Sequence, residues 1–270
     1  MKIAVTNRKG GVGKSTMASH IAAGLAARGY YVGLVDTDSQ GNASMMLGIE
    51  SSDGLHRLMI DRAPLQEVVL HVPLENFAQS DTRGRIYLIP SSRLTYEIPY
   101  RLKEPDTFLF FEQMEAFQAA YNLDVILIDT NPSLSMFDGS IYLAADGFIY
   151  VTECEMLSLD GIREATEQME RFTHIRRTYL NRESKILGIV PNKYRGNTII
   201  HQENLKHLRA AFGQLVWPPI PLHTRWAECS NLYRPVFLEA PKSHAARHAW
   251  VMIDHVERSM ETWEMTAVVS

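Results

Sequence analysis

Six short runs of Val, Ile and Leu, separated along most of the chain by longer stretches with helical spacing, restrict this 270-residue sequence to a narrow set of folds. The runs are Ile3–Val5, Tyr31–Val35, Ile86–Ile89, Val125–Ile128, Gly147–Val151 and Ile186–Val190. They lack polar alternation, as strands do when helices cover both of their faces. Helical periods lie at about Lys14–Arg28, Asp106–Tyr121, Leu159–Tyr179 and Ile200–Phe212, with a last one from Ser243 to Thr262. Such alternation predicts an α/β fold, a doubly wound and mainly parallel sheet flanked by helices. The segment Met45 to Thr82 carries no period that fixes its elements. No Ser/Gly/Pro linker or low-complexity tract divides the chain, so residues 1–270 are expected to form a single domain.

In a parallel sheet, ligands gather beyond the carboxyl ends of the strands, which makes the residues there the informative ones. The first run leads into Asn7-Arg8-Lys9-Gly10-Gly11-Val12-Gly13-Lys14-Ser15-Thr16 and then a helical pattern. Glycines let backbone N–H groups turn inward on phosphate oxygens, and the helix N-terminus adds positive potential. Lys14 is placed to reach β and γ phosphates, and Ser15 to ligate Mg²⁺. A plain glycine turn between strand and helix does not account for Gly-Lys-Ser in this context. The second run ends in Val35-Asp36-Thr37-Asp38 and the fourth in Ile128-Asp129, so three carboxylates are expected at the crevice. An apolar strand ending in one acid is the Walker B arrangement, in which Asp129 holds the Mg²⁺ hydration shell. The bland alternative for Asp38 is helix capping. ATP and Mg²⁺ are the expected cofactors, and phosphoryl transfer asks little more than a placed carboxylate, a lysine and a metal.

The loop departs from the GxxxxGK[ST] pattern, with Arg8 at the first glycine position and a second lysine, Lys9, opening the run. In this it resembles the deviant Walker A ATPases of the ParA/MinD family, as do Asp36 to Asn42 (a DxDPQGN-like switch with Ser39 for proline), Ala144-Ala145-Asp146 and Leu157-Ser158-Leu159-Asp160-Gly161. The resemblance extends to Ile220-Pro221-Leu222-His223-Thr224-Arg225-Trp226 and Pro241-Lys242-Ser243. It implies a P-loop NTPase fold and a nucleotide cradle of Lys9, Gly10, Gly11, Val12, Gly13, Lys14, Ser15 and Thr16. It implies that Lys9 crosses a homodimer interface to the partner's nucleotide, that Asp38 orients the attacking water, and that Asp36 helps Ser15 and Asp129 hold the metal. Asn192 and Pro221 lie where related ATPases meet adenine, although an Asn after a strand is commonly a turn residue. Asn131-Pro132 stands where the family has two prolines, so the second switch is expected to move differently.

Charge is uneven along the chain. From Tyr96 to Glu170 there are 3 Lys/Arg against 15 Asp/Glu, and from Arg171 to Arg247 there are 13 against 4. The net charge of −4 argues against a surface that coats nucleic acid everywhere. The resemblance nonetheless implies non-specific DNA binding by the ATP dimer, with Lys193, Arg195, Lys206, Arg209, Arg225, Lys242 and Arg247 as candidates. Solvated helix faces are the competing reading of the same residues. A ParB-like or cargo-adaptor protein that stimulates hydrolysis is the implied partner, and the acidic middle a place for its basic segment. The cargo, whether plasmid, chromosome origin or protein assembly, is not written in the sequence.

The nearest alternative is a MinD-like membrane-associated ATPase. Its membrane helix is basic, whereas the tail from Glu257 to Met265 is acidic and repelled by anionic lipid, so no membrane contact is expected. Trp250, Val251 and Ile253 are expected to pack the last helix on the core. Cys154 and Cys229 do not form the motif that an iron–sulfur relative would need. The early first strand leaves no room for a secretory leader or a preceding helix-turn-helix, so a cytoplasmic, nucleoid-associated protein without operator-specific autoregulation is expected.

Overall fold

The computed structural model describes residues 1–103, 106–131, 136–155 and 158–269. Its centre is a seven-stranded sheet in the order β3-β4-β2-β5-β1-β6-β7. The strands are β1 (Lys2–Thr6), β2 (Tyr31–Asp36), β3 (Leu70–His71), β4 (Arg85–Ile89), β5 (Val125–Asp129), β6 (Gly147–Glu153) and β7 (Lys185–Asn192). All neighbours run parallel except β3, which lies antiparallel to β4 at one edge. Each of the six expected strands is present and exceeds its apolar run by one to three residues. The seventh, β3, comes from the segment in which no element was expected.

The longer helices are α1 (Lys14–Ala27), α6 (Leu109–Ala120), α8 (Ser158–Leu180), α9 (Ile199–Phe212) and α12 (His244–Val269). Shorter ones are α2 (Asn42–Met45), α3 (Gly54–His56), α4 (Leu65–Val68), α5 (Ile98–Arg101), α7 (Met136–Ala144), α10 (Thr224–Asn231) and α11 (Val236–Glu239). The helix expected from Asp106 begins at Leu109, and the last helix runs on past Thr262 to Val269.

Apolar residues of the sheet feed two cores, one per face. The first packs α1 and α12 with α10 and α11 through Met17, Ile21, Leu25, Cys229, Phe237, Met252 and Ile253. The second packs α6, α7 and α9 through Phe110, Met114, Phe117, Ile141, Leu205 and Leu208. Burial on both faces explains why β1 and β5 are buried along their whole length. α1 meets α12 closely enough that a methyl group on Gly24 would overlap the Ile253 side chain. Trp250 is partly buried against this core, but Val251 is 38% exposed, contrary to expectation. On a 3.6-residue period Trp250 and Ile253 share a face, and Val251 turns about 100° away from it.

The parallel register aligns functional residues at one end of the sheet. Val5 and Asp36 each sit opposite Asp129, and Glu153 sits opposite Asn192. Everything at the candidate site hangs from these strand ends.

Candidate functional site

The loop after β1 is shaped by two glycines and tied down from outside. Gly11 (φ 75°) and Gly13 (φ 101°) adopt the left-handed conformation that side chains disfavour. Asn7 fastens the entry, accepting from Lys9 N at 2.8 Å and donating to the Val151 carbonyl at 2.6 Å. Buried Asn192 donates to the Val12 carbonyl at 2.7 Å and fills the space that a Cβ on Gly13 would need. Lys193, itself at φ 52°, reaches the Gly11 carbonyl at 2.5 Å. The loop is thus gripped by β6 and by the end of β7.

Lys14 is buried and curls back so that Nζ donates to the Lys9 carbonyl at 3.3 Å. Burial lowers its pKa, and the facing Asp129 and Asp38 oppose that shift. Asp129 is fully buried, and neither of its carboxylate oxygens has a hydrogen-bond partner. Burial first, and then Asp36, push its pKa well above the ordinary range, while the nearby Ser15 and Lys14 pull it down. Asp36, its register neighbour, is equally buried but satisfied. It accepts from Ser44 N and Ser44 Oγ, both at 2.9 Å, and from Asp38 N at 3.2 Å, and burial pushes its pKa up to about 6.

An unpartnered buried carboxylate beside a hydroxyl, a lysine and a second acid is costly unless a cation completes it. The donor set of Asp129 and Ser15, hard oxygens at the foot of a glycine loop, fits Mg²⁺. Asp36 stands next to this pair, but its oxygens are engaged by the turn that follows β2.

Asp38 lies at the mouth, partly exposed. Its Oδ1 accepts from Gln40 N at 3.0 Å, and its carbonyl accepts from Ser91 Oγ at 2.5 Å. The helix that follows is N-capped by Gly41 without a side-chain bond, so Asp38 is not its cap. Ser44 and Ser91 did not stand out in the sequence, because neither belongs to a motif: Ser44 reaches back eight residues to Asp36, and Ser91 reaches Asp38 from 53 residues away.

Lys9 is half-exposed and ion-paired within its own chain, to Glu153 at 2.8 Å and Glu155 at 2.5 Å. Glu153 also pairs with Lys193 at 3.0 Å. Neither acid was singled out from the sequence, though the place of Glu153 at the carboxyl end of a strand was the available signal.

Residues 1–185 match the AAA_31 family, described as an AAA domain. The chain is 34% identical over 250 residues to the chromosome-partitioning ATPase Soj of Thermus thermophilus, covering 92% of each protein. It is 31% identical over 245 residues to the chromosome partitioning protein ParA of Caulobacter vibrioides, covering 87% of this chain and 86% of that one. The chain belongs to the Soj/ParA family of partition ATPases. The fold agrees. The septum site-determining protein MinD of Pyrococcus horikoshii, solved with Mg-ADP, superposes with a TM-score of 0.73 at 20% identity over 94% of this chain and 95% of that one.

The remaining residues implied by the Soj/ParA resemblance scatter. Pro221 bridges to Tyr194, the residue after Lys193, and borders the loop that follows β7. Lys206 and Arg209 are exposed on α9, which packs on the second core. Arg225 (paired with Glu228 at 2.8 Å), Lys242 and Arg247 are exposed on or beside α10 and α12, which pack on the first. Arg195 is exposed beside His201, and Lys193 is at the phosphate loop. The seven therefore divide among three places. Pro132 and Leu157 lie outside the described residues. No described helix is long and apolar enough to cross a membrane.

A residue that the sequence did not flag links the loop to the basic elements. His20 on α1 is fully buried, with Nδ1–H donating to the Thr16 carbonyl at 2.7 Å and Nε2 accepting from Val236 N at 2.9 Å. Burial pulls its pKa down to about 4, so the ring is neutral. It also packs edge-on against Trp226 of α10, with ring centroids 4.9 Å apart.

Proposed function

We propose that this chain is a Mg²⁺-dependent ATP hydrolase, a single ATPase domain that works as an ATP-bound sandwich homodimer on non-specific DNA to segregate or position a cargo. The observation that carries the reading is the pairing of a glycine loop bearing buried Lys14 with the open, fully buried carboxylate of Asp129. Together they supply a cation for phosphate oxygens and an acid for a metal ion, side by side.

In this reading Gly10 to Thr16 receive the phosphates through backbone N–H groups, and Lys14 moves from the Lys9 carbonyl to the β and γ phosphates. Ser15 and Asp129 would hold Mg²⁺, which when bound would supply positive charge beside the phosphate oxygens. Asp38, at the mouth and exposed to water, orients the attacking water. Lys9 leaves Glu153 and Glu155 to contact the nucleotide of a second copy, which makes the dimer depend on ATP. Basic residues on α10 and the start of α12, joined to α1 through His20, meet DNA phosphates, and doubling them in a dimer raises affinity in a salt-sensitive way. A ParB-like or adaptor protein stimulates hydrolysis, and the chain works in the cytoplasm on the nucleoid.

Light scattering after size exclusion tests this with Asp38→Ala in ATP and Mg²⁺. A dimer is expected that disappears on adding Lys9→Ala. A monomer under all conditions would sink the dimer clamp.

A further inference from the structure

Glu153 ends β6 in register with Asn192 and leans over the phosphate loop with its side chain only 13% exposed. Each carboxylate oxygen takes a different lysine: Oε2 the Lys9 ammonium at 2.8 Å, and Oε1 the Lys193 ammonium at 3.0 Å. Lys193 simultaneously donates to the Gly11 carbonyl, so the carboxylate, both lysines and the loop backbone form one closed network. Burial works against the charge of Glu153, but hydrogen bonds from Lys9 and then Lys193 hold its pKa below the usual carboxylate range. Lys9 is raised in turn, first by Glu153 and then by Glu155. Glu155 is 55% exposed, where water screens its pair, so Glu153 is the stronger tether.

A triphosphate on this loop brings several negative oxygens to the same two cations. A carboxylate and a phosphate cannot both be neutralised by one ammonium at full strength, and a half-buried carboxylate left without its lysines is penalised. We propose that Glu153 is an anionic latch, holding Lys9 and Lys193 over the phosphate loop so that nucleotide binds only by taking these lysines from it. The latch rests on the ATP reading above and adds a regulation to it. With the site empty, Lys9 is kept within its own subunit, and the ATP level at which it is freed is set by the strength of the Glu153 pairs.

The test is a fluorescence titration with mant-ATPγS and Mg²⁺ at fixed low protein concentration. Glu153→Gln, which keeps the shape and removes the charge, is expected to lower Kd about tenfold. In a Lys9→Ala, Lys193→Ala background the same substitution is expected to change Kd less than twofold, since no lysines remain to be released. If Glu153→Gln leaves Kd unchanged or raises it, or lowers it equally in both backgrounds, the latch is overturned while the ATP reading stands. If the unaltered chain binds no nucleotide, both fall. Should Glu153→Gln fail to fold by circular dichroism, Glu153→Asp replaces it. Drawing the charge back by one methylene is expected to lower Kd about threefold, and a Kd equal to that of the unaltered chain would overturn the latch.

Discussion

The two flanks of the phosphate loop solve opposite electrostatic problems. On the β2 and β5 side, Asp36 and Asp129 are crowded in register beside Lys14, and the buried oxygens of Asp129 have only the nearby Ser15 hydroxyl and no hydrogen bond of standard geometry. On the β6 and β7 side, Glu153 is fully matched by two lysines. The first flank is incomplete without a ligand, and the second is complete without one. On the proposed reading, a nucleotide with its cation completes the first flank and takes pairs from the second, so binding would reorganise the second flank more than the first.

The largest expected effect comes from the incomplete flank. Lys14→Ala or Asp129→Ala should lower Mg²⁺-dependent ATP turnover by about a thousandfold, read as phosphate release. Turnover within tenfold of the unaltered chain would mean that the two flanks do not differ in the way described.

Next in size is a control on the same helix but away from both flanks. The ordinary pKa of His20 is 6.5 and folding lowers it to about 4, so its neutral form stabilises the fold fully above pH 6.5. About 3 kcal/mol should be lost as pH falls from 6.5 to 4. Urea unfolding at pH 7 and pH 4.5 reads this, and His20→Gln should flatten that limb of the profile. Mg²⁺ should leave it unchanged, since His20 bonds Thr16 and Val236 rather than Ser15 or Asp129.

Asp38→Ala should slow turnover by about a hundredfold with nucleotide affinity within threefold, because its carboxylate meets water at the mouth while its turn is also braced by Ser91. A comparable loss of binding would move Asp38 into the incomplete flank. The smallest effect concerns the basic residues. Arg225→Ala with Arg247→Ala should weaken DNA binding of the ATP state about tenfold and flatten its salt slope, and Lys206→Ala with Arg209→Ala less than threefold. A filter-binding titration that reversed this order would place the DNA face on α9.

The sequence was most informative where chemistry is local. Gly10 to Thr16, the six apolar runs and the acids that end β2 and β5 are all readable because each signal lies within a few consecutive residues. The rest depends on contacts that the fold makes and no consecutive pattern marks. That Asp36 is satisfied and Asp129 is not follows from Ser44 reaching one of them. Glu153 escaped notice because the apolar run of β6 stops at Val151, two residues before the strand does. β3 has only two residues, both exposed, and so offers no period. The basic third of the chain read as one charged region, but folding sends α9 to one core and α10 to the other.

That short antiparallel β3 also bears on colloidal behaviour. A parallel sheet with a bare outer strand offers unpaired amides to any other chain. Here β4 is shielded by two residues whose register ends almost at once, with His71 tucked beside Tyr87. At the far edge the backbone of Val216 and Trp217 lies against Ile189 of β7. Each margin is thus interrupted by a short contact, which breaks the row of edge amides a further strand would pair with.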